Sequence, residues 1–254
     1  MHYGILTTAL SLAVSGVASA AFTGYTVTTA NVSVAGLNLV RYEVFATFNG
    51  PTDTVLNVFN LCAVSADPGE DAYGGFWHKD NSDYNNGVLS QQYGTWAPQL
   101  TGSATLNRPF DSFLLIGGNA TASNTSNCDP SWNSGGFGIH VGNSSGNNRA
   151  DLVNNCTIGW FNSSPPNLQG RVGNSPAGGA LGGAANWQAV PTGGVRLAQF
   201  VLSQGHGTRT YSLRTAYNNG TGGGVVFADG TFTLPTPGAI ALLGLAGLTR
   251  RRRR

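Results

Sequence analysis

The stretch from Asn38 to Phe48, "NLVRYEVFATF", leaves this chain little choice of local structure. Val40, Tyr42, Val44, Ala46 and Phe48 fall on one side of an extended backbone, and Leu39, Arg41, Glu43, Phe45 and Thr47 on the other. A strand can satisfy that period of two and a helix cannot. The turn residues of "NGPTD", 49–53, end the run. One apolar and one mixed face predict burial on one side only, with Glu43 solvated beside Arg41. Comparable short stretches lie at 26–34, 54–64, 112–117, 137–141, 195–203, 210–217 and 224–234, the last carrying Asp229-Gly230 as a two-residue hairpin signal. No long segment repeats apolar residues at helical spacing. Some eight strands separated by turns predict an all-β chain folded as a single antiparallel β-sandwich of jelly-roll type, with residues 173–187 as a long flexible loop.

A core of that kind is affordable, since 41% of the 254 residues are apolar and a chain of this length is often one domain. Charge is scarce at 9%, against about 25% in ordinary soluble domains, and 37 glycines add turn capacity, a composition suited to an exported β protein. The formal charge of +2 depends on Arg250, Arg251, Arg252, Arg253 and Arg254; the remaining eight cations face 11 acids, so the body carries −3. That balance excludes a basic nucleic-acid footprint.

Residues 1–20 end in Ala18-Ser19-Ala20 after an apolar stretch from Ile5 to Val14, the processing pattern of a secretory signal peptide, although Met1-His2-Tyr3 lacks the usual cation. Cleavage by signal peptidase before Ala21 is expected. Of three cysteines, Cys128 and Cys156 each follow an asparagine in polar surroundings, whereas Cys62 sits in the apolar "VFNLCAV". A Cys128–Cys156 bridge with Cys62 as a buried thiol is the expected arrangement.

Motifs for chemistry are sparse. "GNSSG", 142–146, fits the nucleophile-elbow pattern with Ser144, and Asp151 and His206 follow in the right order. No helix-forming stretch succeeds it, so no catalytic residue is assigned. Glu43 and Glu70 are the mature chain's only glutamates, a thin basis for a glycosidase pair. The segment 66–87 gathers Asp67, Glu70, Asp71, Asp80 and Asp83, hard oxygen ligands that make calcium the one candidate cofactor, without an EF-hand order. Tyr73, Trp77 and Tyr84 in the same segment, with Tyr93 and Trp96 after it, are candidate stacking platforms for sugar rings, or else core cover. The closing stretch "VRLAQFVLSQGHGTRTYSLRTAYNNGTGGGVVFADGTFTL" resembles the last strands of cohesin-like and carbohydrate-binding-module-like sandwiches, which supports architecture only.

The chain ends on "PTPGAIALLGLAGLTRRRRR". Gly238 to Leu248 would rise about 16 Å as a helix against a hydrocarbon core of about 30 Å, too short to span comfortably. Such a short C-terminal hydrophobic helix, followed by arginines that would stay cytoplasmic, suits transient membrane contact. Pro235-Thr236-Pro237, the apolar segment from Gly238 and the Arg250–Arg254 cluster resemble the PEP-CTERM sorting signal of exported bacterial proteins. Thr236 stands where that family has glutamate, and the apolar segment is short, a combination similar to a known variant. "GWFNSSPPNLQG", 159–170, also resembles a segment recurring in uncharacterised proteins with this tail. The resemblance implies an exosortase-type sorting enzyme as partner and a destination at the cell envelope, surface or extracellular matrix. The expected organisation is 1–20 signal peptide, 21–234 β domain and 235–254 sorting signal. The expected role is structural or adhesive and non-catalytic, with exopolysaccharide as a candidate ligand.

Overall fold

The computed structural model of the protein describes residues 21–79, 87–96, 110–117, 126–128, 151–152, 154, 156–174, 190–219 and 224–238. Among them are nine strands: β1 (Phe22–Val34), β2 (Leu37–Phe48), β3 (Thr54–Ala66), β4 (Phe113–Leu114), β5 (Ser126–Cys128), β6 (Ile158–Asn162), β7 (Gly194–Ser203), β8 (Arg209–Asn218) and β9 (Val226–Leu234). They form two antiparallel sheets, β1-β2-β7-β4 and β5-β6-β3-β8-β9. None of the described residues belongs to a helix long and apolar enough to cross a membrane. The expected C-terminal helix falls outside the described residues from residue 239 onward, as do residues 1–20, 137–141 and 175–187.

One core unites the two sheets. Val40, Tyr42, Val44, Ala46 and Phe48 of β2 and Val195, Leu197, Phe200 and Leu202 of β7 cluster with Val55, Val58 and Leu61 of β3, Trp160 of β6, Tyr211 and Leu213 of β8, and Phe232 and Leu234 of β9. Each buried side chain of this size contributes about 1.5–3 kcal/mol of transfer free energy. Phe200, Tyr211 and Phe232 stack with centroids 5.3–6.3 Å apart at the centre. Alternation along β2 thus places its apolar set inward, as its sequence pattern dictates.

Three expectations require correction. Glu43 is not solvated: it is fully buried, as are Arg41 and Arg196. The outer face of the first sheet is covered, at one end by Trp77, Leu89 and Phe110 packed over Val32, Leu39 and Val201. Asp229-Gly230 makes no hairpin, because β9 pairs with β8 without interruption from Tyr217↔Val226 to Arg209↔Leu234. Glycine serves close approach there, since a Cβ on Gly230 would lie 2.8 Å from Cε2 of Tyr25.

The disulfide is the third. Cys156 bonds to Cys62, not to Cys128, across a sequence separation of 94 and a Cα–Cα distance of 4.3 Å. β3 is bulged against β8 between Val55 and Asn57 and between Phe59 and Cys62, with Asn60 at φ 58°. Val55, Val58 and Leu61 consequently face the core three residues apart, and Cys62 leaves the interior parity its apolar neighbours suggest.

Candidate functional site

The densest polar construction joins the segment after β3, the β7–β8 turn and the residues that follow β9. Asp67 and Glu70, in the turn that ends β3, face the turn leading into β8. Asp67 Oδ2 accepts from the Thr208 amide (2.6 Å), and Glu70 Oε2 from the Gly207 amide (2.7 Å). Glu70 Oε1 accepts from Nε of Arg209 (2.6 Å) and also contacts its Nη2. Arg209 further donates to the Gly74 carbonyl (2.7 Å) and lies over the Phe76 ring (5.2 Å). The Thr208 amide holds the Asp67 carboxyl below its ordinary range. Charge-assisted bonds of this kind are the stronger class, so these two carboxylates fasten loops together.

Pro235 and Thr236, immediately after β9, are tied to the same place. Tyr42, buried in the core, donates its hydroxyl to the Pro235 carbonyl (2.5 Å) and lies 2.7 Å from Nε2 of His206. His206 Nδ1 is 2.6 Å from the Gly207 carbonyl, which can only accept, so Nδ1 carries a hydrogen. Burial is the largest cause lowering the His206 pKa, and Arg209 adds to it against the Gly207 carbonyl, Glu70 and Asp67. Thr236 Oγ1 is 2.9 Å from Thr208 Oγ1 and 3.4 Å from Asp67 Oδ2.

This use of side chains redirects several expectations. Asp67 and Glu70 are spent on backbone amides and Arg209, Asp71 caps its own turn by accepting from the Tyr73 amide (2.9 Å), and Asp80 and Asp83 lie outside the described residues. Among the described residues no group of three or more His, Cys, Asp or Glu side chains is placed to hold a metal. His206 is committed to Tyr42 and Gly207 and Asp151 is exposed, while Ser144 lies outside the described residues. Glu43 and Glu70 belong to separate arginine clusters, which is not the arrangement of a catalytic carboxylate pair.

Among the described residues, the candidate sugar-stacking rings Tyr73, Trp77, Tyr93 and Trp96 do not form one platform. Trp96 is 3% exposed, packed edge-on to Phe76 (5.2 Å) and His78 (4.8 Å), and burial removes it from any surface. Trp77 lies in the other apolar cluster, its indole nitrogen donating to Ser203 Oγ (3.0 Å). The Tyr73 hydroxyl accepts from the Ala63 amide (2.9 Å) and sits 3.9 and 3.8 Å from the two disulfide sulfurs. Tyr93 is half-buried in a turn where Ser90 Oγ accepts its amide, and Tyr84 lies outside the described residues. Core cover is therefore the role of Trp96, and scaffolding that of Tyr73 and Trp77.

Sequence reasoning missed the aromatic face the structure does expose. On the outer side of the second sheet Arg214 lies between Phe59 (5.8 Å) and Phe227 (5.3 Å), with Asp229 Oδ1 at 3.5 Å; Phe227 is 53% exposed. The one signal available was the alternation Phe227, Asp229, Thr231 along β9. The segment 159–170 proves to be a packed corner: Trp160 donates to the Leu115 carbonyl (2.9 Å), Gln169 to the Ile116 carbonyl (2.7 Å), and a Cβ on Gly170 would meet the Val55 carbonyl. No family model, curated protein or solved structure matches the chain.

Proposed function

We propose that the chain is an exported bacterial surface or matrix protein, a β-sandwich of jelly-roll or cohesin-like kind that is sorted through its C-terminal signal and acts structurally or adhesively, without catalysis. The observation that carries this reading is the Cys62–Cys156 disulfide in a chain flanked by signal-like ends. Such bonds persist in oxidising compartments and are rare where thiols are kept reduced. The ladder extends from Phe22, one residue after Ala21, to Leu234, one residue before Pro235, so cleavage near either end would leave the strands whole. Carboxylates and His206 spent on holding loops favour scaffold over enzyme. The partners are then signal peptidase and an exosortase-type enzyme, with transient membrane contact through the apolar segment. Fractionation of the native host with intact-mass measurement is the test. Material in the envelope or medium lacking residues 1–20 and part of 235–254 is expected; an intact cytoplasmic chain would overturn the reading.

A second reading, glycan recognition, is favoured by the exposed Phe227 rather than by the loop rings. Phe227 offers a ring face, and Arg214, Asp229 and Thr231 offer hydrogen bonds around it. Binding to an exopolysaccharide array that Phe227→Ala abolishes is the expected result, and unchanged binding would remove it.

A further inference from the structure

Three features lie beyond that reading: the buried Arg41–Glu43–Arg196 cluster, the Asp71 and Asp151 side chains that each approach Gly74, and the anchoring of Pro235-Thr236. The last is the one whose geometry does more than hold the fold together. We propose that Tyr42, His206, Thr208 and Asp67 latch the Pro235-Thr236 segment onto the folded body, and that this latch slows processing of the C-terminal signal until it opens. The inference rests on the reading of 235–254 as a sorting signal.

The contacts span the molecule. Tyr42 belongs to the first sheet and reaches the end of the second, 193 residues away in sequence, to donate to the Pro235 carbonyl. One residue on, the Thr236 hydroxyl sits between Thr208 and Asp67, and the Thr236 amide points at Thr208 Oγ1 (3.4 Å). Peptide-processing enzymes that take their substrate as an added extended strand need its carbonyls and amides for hydrogen bonding. In the latched segment the Pro235 carbonyl and the Thr236 amide are already engaged by the body. No linker separates latch from ladder, because β9 ends at Leu234.

Hydrogen counting explains why the latch can open. In the neutral ring, which burial favours, Nδ1 holds the hydrogen that meets the Gly207 carbonyl and Nε2 is a bare acceptor. Tyr42 has one hydroxyl hydrogen and two acceptors within reach, Pro235 O at 2.5 Å and His206 Nε2 at 2.7 Å, so in the latched state that hydrogen serves Pro235 and none lies between the hydroxyl and Nε2. When Pro235 leaves, that hydrogen turns to Nε2, and the buried hydroxyl keeps a partner. The Pro235 carbonyl, the Thr236 groups, Thr208 Oγ1 and Asp67 Oδ2 exchange their bonds for water. An unsatisfied buried hydroxyl, the usual penalty for breaking such a contact, does not arise.

The test uses the full-length chain in detergent and a broad-specificity subtilisin-type protease, with cuts between residues 234 and 239 timed by mass spectrometry. Tyr42→Phe is expected to raise cleavage there about tenfold, equivalent to about 1.4 kcal/mol, and Thr208→Val to raise it severalfold. Tyr25→Phe removes a hydroxyl bonded to the Leu213 carbonyl and Thr215, remote from the latch, and should leave that rate unchanged. If neither latch variant speeds cleavage, or if Tyr25→Phe speeds it equally, the latch is overturned. In the native host, pulse-chase of the C-terminal mass loss should run faster in Tyr42→Phe than in wild type; an equal or slower rate overturns the braking role. Wild-type chain that keeps residues 235–254 in its host overturns the sorting reading itself, an outcome separable from the protease result.

Discussion

The outer faces of the two sheets carry the same chemistry in opposite surroundings. On the first, Glu43 accepts from Arg196 Nε at 3.0 Å and lies 3.4 Å from Arg41 Nε, all three side chains at zero exposure. On the second, Arg214 and Asp229 approach to 3.5 Å with 41% and 74% of their side chains exposed. Coulomb attraction in a low-dielectric interior is several-fold stronger than at a wet surface, but so is the penalty for losing a partner. The covered pair is therefore a point of fragility and the bare pair is dispensable. Arginine in both places also lies against a ring, Phe45 at 5.2 Å for Arg196 and Phe227 at 5.3 Å for Arg214, so ring contact does not distinguish them.

The strongest way to break this contrast is Glu43→Ala, which removes the carboxylate that two buried guanidinium groups approach. A loss of about 3–5 kcal/mol in urea unfolding is expected; a loss below about 1 kcal/mol would show that the covered face readmits water. Next comes Cys156→Ser, expected to cost about 2–5 kcal/mol by the same measurement. Gly230→Ala on β9 should cost about 1–3 kcal/mol by forcing Tyr25 aside, and the cost should shrink in a Tyr25→Leu background if the ring is the reason glycine stands there. A smaller effect separates arginine from histidine. The folded pKa of His206 lies below its unfolded value, so the unfolded chain binds more protons between them. The stability that neutral His206 contributes is complete above about pH 6.5 and is lost as pH falls toward the lower folded pKa. His206→Gln should flatten that part of the stability–pH curve, and an unchanged slope would exclude the ring as its source. Smallest of all, Asp229→Ala should stay within about 0.5 kcal/mol of wild type.

Much of the ladder was legible in the sequence, and the reason is local. Alternation along 38–48 depends only on the pleat, so Val40, Tyr42, Val44, Ala46 and Phe48 could be assigned to the core from their spacing. What covers the opposite face depends on segments distant in sequence, and nothing within "NLVRYEVFATF" announces Trp77 or Phe110. Leu39 and Phe45 on that face were the available hint. Cys62 was misplaced because a bulge at Asn60 shifts parity, and no residue pattern marks a bulge reliably. Asp229-Gly230 misled because glycine serves a tight turn and a close ring contact equally well. At the anchored end Pro235-Thr236-Pro237 stood out as a sorting signal, Asp67 as a calcium candidate, His206 as the last member of a triad order and Tyr42 as core; that they meet carried no sequence signal, since Tyr42 lies 193 and 164 residues from its partners.

The Cys62–Cys156 bond closes a loop of 94 residues. In the chain-entropy account a loop of that length adds about 4–5 kcal/mol to stability, of the same order as the whole stability of many domains. One sequence is then two materials: pliable while its thiols are reduced, firm once they are joined. For the export proposed above, which would thread the chain through a narrow pore, stiffness that arrives only on the far side is well suited.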